Sequence, residues 1–439
     1  MVMKPHRRAV ALAVALVMLL AAAPSPAAPI AHREVLPNGI VLLVAERPGV
    51  PIVAVRVFTR AGAVLDPPDQ PGLANLTGAL VTRGAGKRTG PEIDTAIEFV
   101  GGSLEAGAGR DGLTVALSVL KRDLTLGLDL LTDVVLAPTF PADELTRKAA
   151  QIQAAIKRSE EDPNTVAGRA LARLVFPHHP YGTPVEGTIE SVGKLTRDDV
   201  VAFYRRYVRP DTAIVAVVGD VTVDEARREV LKRLGGWARP ATSPPTVPSA
   251  GPGGPPRTET IAKELTQATI QMGRQAVRQV DPDYFPLVVA SYVLGGGSAS
   301  RLYARVRDEG GLAYSVYSWV SPARFGAAVS VAAQTRTAET ARVTEILSEE
   351  LARMTREPVK DDELKLAKDY LIGSFPLRLD TTAKVADFVL AIEEQGLGLD
   401  YADRYKAGVA RVTAADVQRA ARRFFAPDTF NRVVVGATK

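Results

Sequence analysis

Val192–Asp220 reads VGKLTRDDVVAFYRRYVRPDTAIVAVVGD, and Val409–Ala437 reads VARVTAADVQRAARRFFAPDTFNRVVVGA. The two stretches align without a gap at a separation of 217 positions. Thr196 meets Thr413, Asp199 meets Asp416, and Arg205 and Arg206 meet Arg422 and Arg423. Pro210, Asp211 and Thr212 meet Pro427, Asp428 and Thr429, and Gly219 meets Gly436. Each copy predicts a helix opened by a capping threonine, then a Pro-Asp turn, then a β-branched strand. Matching of this kind points to a duplicated domain.

Between the copies, Trp237–Arg257 reads WARPATSPPTVPSAGPGGPPR. So much proline and glycine cannot hold a regular ladder, and the stretch reads as an extended linker. It separates an expected N-terminal domain, residues 28–236, from an expected C-terminal domain, residues 258–439. In the first, Ile40–Ala45, Ile52–Thr59 and Leu113–Leu120 read as strands. Gly72–Thr82, Glu92–Val100, Asp123–Val135 and Ala142–Arg158 read as helices, with Leu73, Leu76 and Leu80 marking one apolar stripe. In the second, Gln267–Met272, Tyr314–Val320 and Gly326–Gln334 read as strands and Phe285–Leu294 as a helix, with long helices following. Strands and helices come in clusters without strict alternation. The expected class is therefore α+β: two homologous α/β-roll domains, each a mostly antiparallel sheet packed with helices.

Composition narrows the chemistry. The 439 residues are 46% hydrophobic and 23% charged, which suits ordinary globular domains. No cysteine is present, so disulfides, thiolate metal sites and a cysteine nucleophile are excluded. At the N-terminus, Lys4, Arg7 and Arg8 precede an apolar run from Ala9 to Ala23, and a small-residue stretch from Pro24 to Ala28 follows. A charged start, a short apolar run and small residues describe a secretory signal peptide, residues 1–27, cut after Ala27. The run is short for a membrane span, and an uncleaved anchor is the alternative. Removing that segment takes three of the basic residues with it and leaves 51 Lys and Arg against 49 Asp and Glu. No basic block with interleaved aromatics stands out, so nucleic-acid binding has no support.

Three stretches carry a family resemblance. Leu36–Ala85 contains two strands and a helix entered through Pro-Gly-Leu-Ala. Phe176–Asp220 supplies a connecting segment, FPHHPYGTPVEGTIESVGKLTRDDVVAFYRRYVRPDTAIVAVVGD. Leu294–Ser318 reads LGGGSASRLYARVRDEGGLAYSVYS. In this order they resemble the insulinase/pitrilysin peptidases, in particular the processing-peptidase-like branch. Active members of that family bind zinc through an inverted H-x-x-E-H on a helix, two histidines one turn apart with a glutamate as general base. A further glutamate ligand follows some seventy residues on. Here the matching positions are Asn75, Gly78 and Ala79, and the distal one falls at about Ala155. An amide is a poor zinc ligand, and glycine and alanine offer no donor. The resemblance therefore implies a family member without its own metal site.

The histidine inventory agrees independently. The chain has four: His6, His32, His178 and His179. His178 and His179 are adjacent and cannot share a helix face one turn apart; an unrelated site built from His32, His178 and His179 stands against a turn histidine pair. No G-x-S-x-G elbow occurs. Glu160, Glu161 and Asp162 read as a charged helix end. Gly295, Gly296 and Gly297 lack the following lysine and serine of a P-loop and read as a helix end.

What survives is an arginine and a tyrosine seven positions apart. In the family's second half such a pair reaches into the active site of the zinc-bearing domain, and RDEGGLAY supplies Arg307 and Tyr314 at that spacing. A preorganised phenol and guanidinium suit the negative charge that builds on a carbonyl oxygen under attack. Arg305 and Tyr317 are the nearest competitors, at a poorer spacing. An arginine near a helix end and a tyrosine entering a strand also occur as ordinary core-edge residues. The resemblance implies a zinc-less subunit that closes a chamber and supplies Arg307 and Tyr314 to a zinc-bearing partner with an intact H-x-x-E-H. The expected compartment is the periplasm, the expected substrate unfolded peptide, and no cofactor is expected on this chain. A non-enzymatic peptide-binding or scaffolding protein of the same fold is the alternative.

Overall fold

A computed structural model describes residues 29–436; the expected signal peptide, residues 1–27, and its cut lie outside the described residues. The first half contains β1 (His32–Val35), β2 (Val41–Glu46), β3 (Ile52–Thr59), the short pair β4 (Gly84–Ala85) and β5 (Arg88–Thr89), β6 (Ser103–Ala108), β7 (Leu113–Leu120) and β8 (Ile214–Gly219). The second half contains β9 (Thr258–Ala262), β10 (Gln267–Ala276), β11 (Ala313–Ser321), β12 (Ala327–Arg336) and β13 (Asn431–Gly436). The first sheet runs β1-β2-β8-β3-β7-β6 and the second β9-β13-β10-β12-β11. In each, one parallel pair (β2 with β8, β9 with β13) is followed by antiparallel neighbours. Apart from β1, the two sheets have one topology, which is the duplication seen in three dimensions.

The repeated stretches explain why they kept their residues. Thr196 and Thr413 each open a helix (Arg197–Tyr207, Ala414–Phe424) with a reciprocal capping box to Asp199 and Asp416. Each helix is followed by a 3₁₀ turn at Pro-Asp-Thr and then by the parallel strand. That strand ends at Gly219 or Gly436, both with positive φ, where a Cβ would lie 2.9 Å from the Cα of Val53 or Ala268 on the paired strand. Only glycine fits so close an approach.

Strand alternation places Val53, Val55 and Val57 with Val115, Leu117 and Val119 against the first half's own helices, including Leu73–Leu80 and Leu124–Leu136. The opposite face carries Leu43, Ala54, Phe58, Ala216 and Val218. Its cover comes from the other half: the Thr382–Glu394 helix lays Val385, Ala386, Val389 and Leu390 on it. Arg56, buried in that face, donates to Asp387 of the same helix at 2.6 Å and to the carbonyls of Val55 and Leu117. The second sheet is covered reciprocally. The Pro163–Val175 helix of the first half sets Ala167, Ala170, Leu171 and Val175 against Val433 and Val435. Gln271 and Gln275 of β10 donate to the carbonyls at its two ends, Asn164 and Val175. The linker from Trp237 to Arg257 contains no helix or strand. Among the described residues no helix is long and apolar enough to cross a membrane.

Because each half lends the other a helix, the halves are expected to unfold together. The chain's two tryptophans report on them separately, Trp237 against the first core and Trp319 on β11. Leu171→Ala is expected to cost roughly 2–5 kcal/mol and to move both tryptophan transitions in urea by the same amount. A shift confined to one tryptophan would contradict the coupling.

Candidate functional site

The helix that carries the zinc motif in the resembled family is Leu73–Leu80. Asp66 sets its start, accepting from the Gly72 and Ala74 N–H groups at 2.8 Å each. Asn75 and Ala79 are half-buried, whereas Gly78 is fully buried against β6. A Cβ at Gly78 would lie 2.5 Å from the backbone nitrogen of Ala108 and 2.8 Å from the carbonyl carbon of Gly107. The strand backbone thus fills the space that a side chain at this position would need. Ala155, exposed on the Ala142–Ser159 helix that packs alongside, offers no donor either. The residues present do not fit a zinc ion.

The histidines are used otherwise. His179 is buried, and its Nδ1 accepts the Tyr181 N–H at 3.2 Å. That tautomer leaves Nε2–H to donate to the Pro248 carbonyl at 3.2 Å, so both ring nitrogens serve the backbone. Burial also holds its pKa below the ordinary value. His32 lies exposed on β1 and His178 is exposed in the turn. Among the described residues no three His, Cys, Asp or Glu side chains are placed to hold a metal ion. Asp162 caps the Pro163–Val175 helix through the Asn164 and Thr165 N–H groups, and Gly295 ends the Tyr284–Gly295 helix against Ser318.

Arg307 and Tyr314 come together. After the Gly295–Gly297 turn the chain enters a π-helical turn, Tyr303–Asp308, in which Glu309 N–H reaches back to Ala304 C=O at 2.9 Å. Gly311 N–H and Leu312 N–H then bond to the Arg307 and Val306 carbonyls, turning the chain into β11. β11 is an edge strand, and its register slips at Tyr314, between the Ala313 and Ser315 pairings. π-turns and β-bulges both re-aim side chains and gather at functional sites. Tyr314 is left 81% exposed, and the Arg307 guanidinium lies 4.8 Å from the centre of its ring.

Neighbouring arginines are committed elsewhere. Arg301 makes a two-pronged bond to Glu363 at 2.8 and 2.7 Å. Arg305 binds buried Glu350 at 2.8 Å and Glu349 at 3.0 Å, and the bond to Glu350 raises its pKa. Among the described residues no carboxylate pairs with Arg307. Instead its guanidinium also lies 4.8 Å from the ring centre of Tyr303, so it sits between two aromatic rings. Tyr303 escaped the reading of the sequence; its only signal there is the four-residue spacing to Arg307 in RLYARVR. Tyr317, the competing tyrosine, leans on Trp319 instead, at 5.2 Å. The arrangement leaves a phenol and an unpaired guanidinium at a sheet edge, donors suited to a carbonyl oxygen gaining negative charge.

Gly78→Ala gains helix propensity of about 1 kcal/mol, but the clash with the β6 backbone should outweigh it. The variant is therefore expected to melt lower than the parent, and N75H/G78E/A79H is expected to retain no stoichiometric zinc by metal analysis. Burial pushes the Asp66 carboxyl up to about 6, against the backbone N–H bonds that favour its charged form. The folded state thus holds this proton to higher pH than the unfolded chain does. The stability it contributes is present at acid pH and is lost as pH rises from near 3.8 through about 6. Asp66→Asn should abolish that component, seen as a change in melting-temperature difference from the parent across this window.

Two family models match the chain in succession, and they meet near residue 190, ahead of the proline-rich linker. The family model for Insulinase (Peptidase family M16) matches residues 41–189, and that for Peptidase M16 inactive domain matches residues 194–371. The chain is 31% identical over 351 residues to an uncharacterized zinc protease of Mycobacterium leprae, covering 79% of each. It is 28% identical over 401 residues to an uncharacterized zinc protease of Streptomyces coelicolor, covering 89% of this chain and 86% of that one. Its fold matches the peptidase M16 inactive domain of Pseudomonas fluorescens at a TM-score of 0.88 with 24% identity, covering 93% of this chain and 98% of that one. With two insulinase-family models matched in succession, a relative 31% identical over 79% of its length and a zinc-motif helix stripped of side-chain donors, the chain belongs to the insulinase family of peptidases, M16, as a zinc-less member.

Proposed function

We propose that this chain is the non-zinc subunit of a two-subunit, exported metallopeptidase. It closes the chamber and presents Arg307 and Tyr314 to the active site of a homologous partner that carries the intact H-x-x-E-H. The supporting observation is that both side chains stay assembled at an exposed sheet edge, with Arg307 free of any carboxylate among the described residues. A structural arginine in this segment behaves differently: Arg301 and Arg305 are both tied to glutamates. The partner supplies the metal. This chain's part is to donate hydrogen bonds, from the Tyr314 hydroxyl and the Arg307 guanidinium, to the substrate carbonyl oxygen as it gains charge. Unfolded peptide is held as an added strand, since edge strands offer unpaired N–H and C=O groups at a fixed spacing. The N-terminal segment, with its basic start and apolar run, supports a periplasmic setting.

Purified alone, the protein is expected to cleave no peptide and to retain no stoichiometric zinc. Mixed with its zinc-bearing partner it should restore hydrolysis. Arg307→Ala or Tyr314→Phe should then lower kcat by roughly 10²-fold, with the complex intact by size-exclusion chromatography. Full turnover in either variant would remove the catalytic role and support scaffolding instead.

A further inference from the structure

We infer that Tyr303 is the positioning residue for Arg307, the fixed ring that holds the guanidinium in place while Tyr314 engages substrate. This rests on the function proposed above and adds a third member to its site. The two rings that sandwich Arg307 are not equivalent. Tyr303 is half-buried and packs against the core of the second half, so its ring has a fixed seat. Tyr314 projects from a slipped register on an edge strand and is 81% exposed, so its ring is free to turn. When the Tyr314 hydroxyl turns toward a carbonyl oxygen, Arg307 loses the ring on that side. No carboxylate among the described residues takes up the guanidinium, and without a second contact its long side chain would regain its rotamer freedom. The Tyr303 face, 4.8 Å from the guanidinium carbon, keeps it aimed.

This choice of holder has a chemical reason. A carboxylate in the place of Tyr303 would fix Arg307 equally well, as Glu363 fixes Arg301 and Glu350 fixes Arg305. It would also neutralise the cation and occupy its donors. An aromatic face attracts the cation through its quadrupole and leaves the N–H groups at the rim of the guanidinium available for substrate. The i, i+4 spacing of Tyr303 and Arg307 on the π-helical turn stacks the two side chains along one face.

The test uses the full chain, alone and with its zinc-bearing partner, in Tyr303→Leu and Tyr303→Phe forms. In the isolated chain, the Arg307 Nε–H resonance, assigned by its loss in Arg307→Lys, should move downfield in Tyr303→Leu as a ring current is removed. In Tyr303→Phe it should stay. In the complex, Tyr303→Leu should lower kcat by roughly three- to thirtyfold, the range that a cation–π contact is worth. KM should be unchanged, and Tyr303→Phe should restore the rate. A resonance indifferent to Tyr303→Leu would overturn the inference, as would full activity in Tyr303→Leu where Arg307→Ala loses it. Full activity in Arg307→Ala would overturn the proposed function and this role together, with the resonance still reporting whether the stacking exists.

Discussion

Two sheets, each apolar on both faces, cannot be buried by the helices of one half alone, and the fold turns on how the second faces are covered. The solution is reciprocal. The Pro163–Val175 helix crosses to the second sheet and the Thr382–Glu394 helix crosses to the first. These helices begin within two residues of the separation found in the duplicated stretches, so the exchange follows the ancestral repeat. Leu171 on Gly273 and Arg56 beneath Asp387 are the points where this docking is most specific. Burial of strand β8 along its whole length is the local consequence: helices lie on both sides of it.

Against that frame of two covered sheets, the absence of a zinc site has two separate causes. Replacing ligands by an amide and two residues without donors removes the chemistry. Closing the helix onto β6 at Gly78 removes the space as well. Close packing without voids makes the second change the more binding one, since a side chain restored there must displace strand backbone rather than a mobile neighbour. The strand that closes this space, β6, is the edge of the first sheet.

The second half follows the opposite course. Within the short Arg301–Arg307 segment the three arginines are sorted by partner: Arg301 and Arg305 take glutamates of neighbouring helices, and Arg307, beside the sheet edge, takes aromatic rings. A cation held by ring faces keeps its N–H donors free of carboxylates. The π-turn and the register slip that produce this arrangement interrupt otherwise regular elements, and such local interruptions accompany functional geometry.

The sequence by itself determined a good deal. The gap-free repeat carried the duplication, because capping threonines, Pro-Asp turns and strand-end glycines each answer a local backbone demand. Strands Ile52–Thr59 and Leu113–Leu120 were legible to the residue, since β-branched alternation is a local signal. Side-chain donor chemistry at Asn75, Gly78, Ala79 and Ala155 was legible too, because no fold can give glycine or alanine a side-chain ligand atom. Tertiary structure alone decided the exchange of helices: an apolar stripe such as Ala167, Ala170, Leu171 and Val175 states that a face is buried, not against which sheet. It alone decided that Gly78 meets β6, a contact between residues about thirty positions apart in the chain. And it alone sorted Arg301, Arg305 and Arg307, which share one charge and one short segment, by what each side chain meets across space.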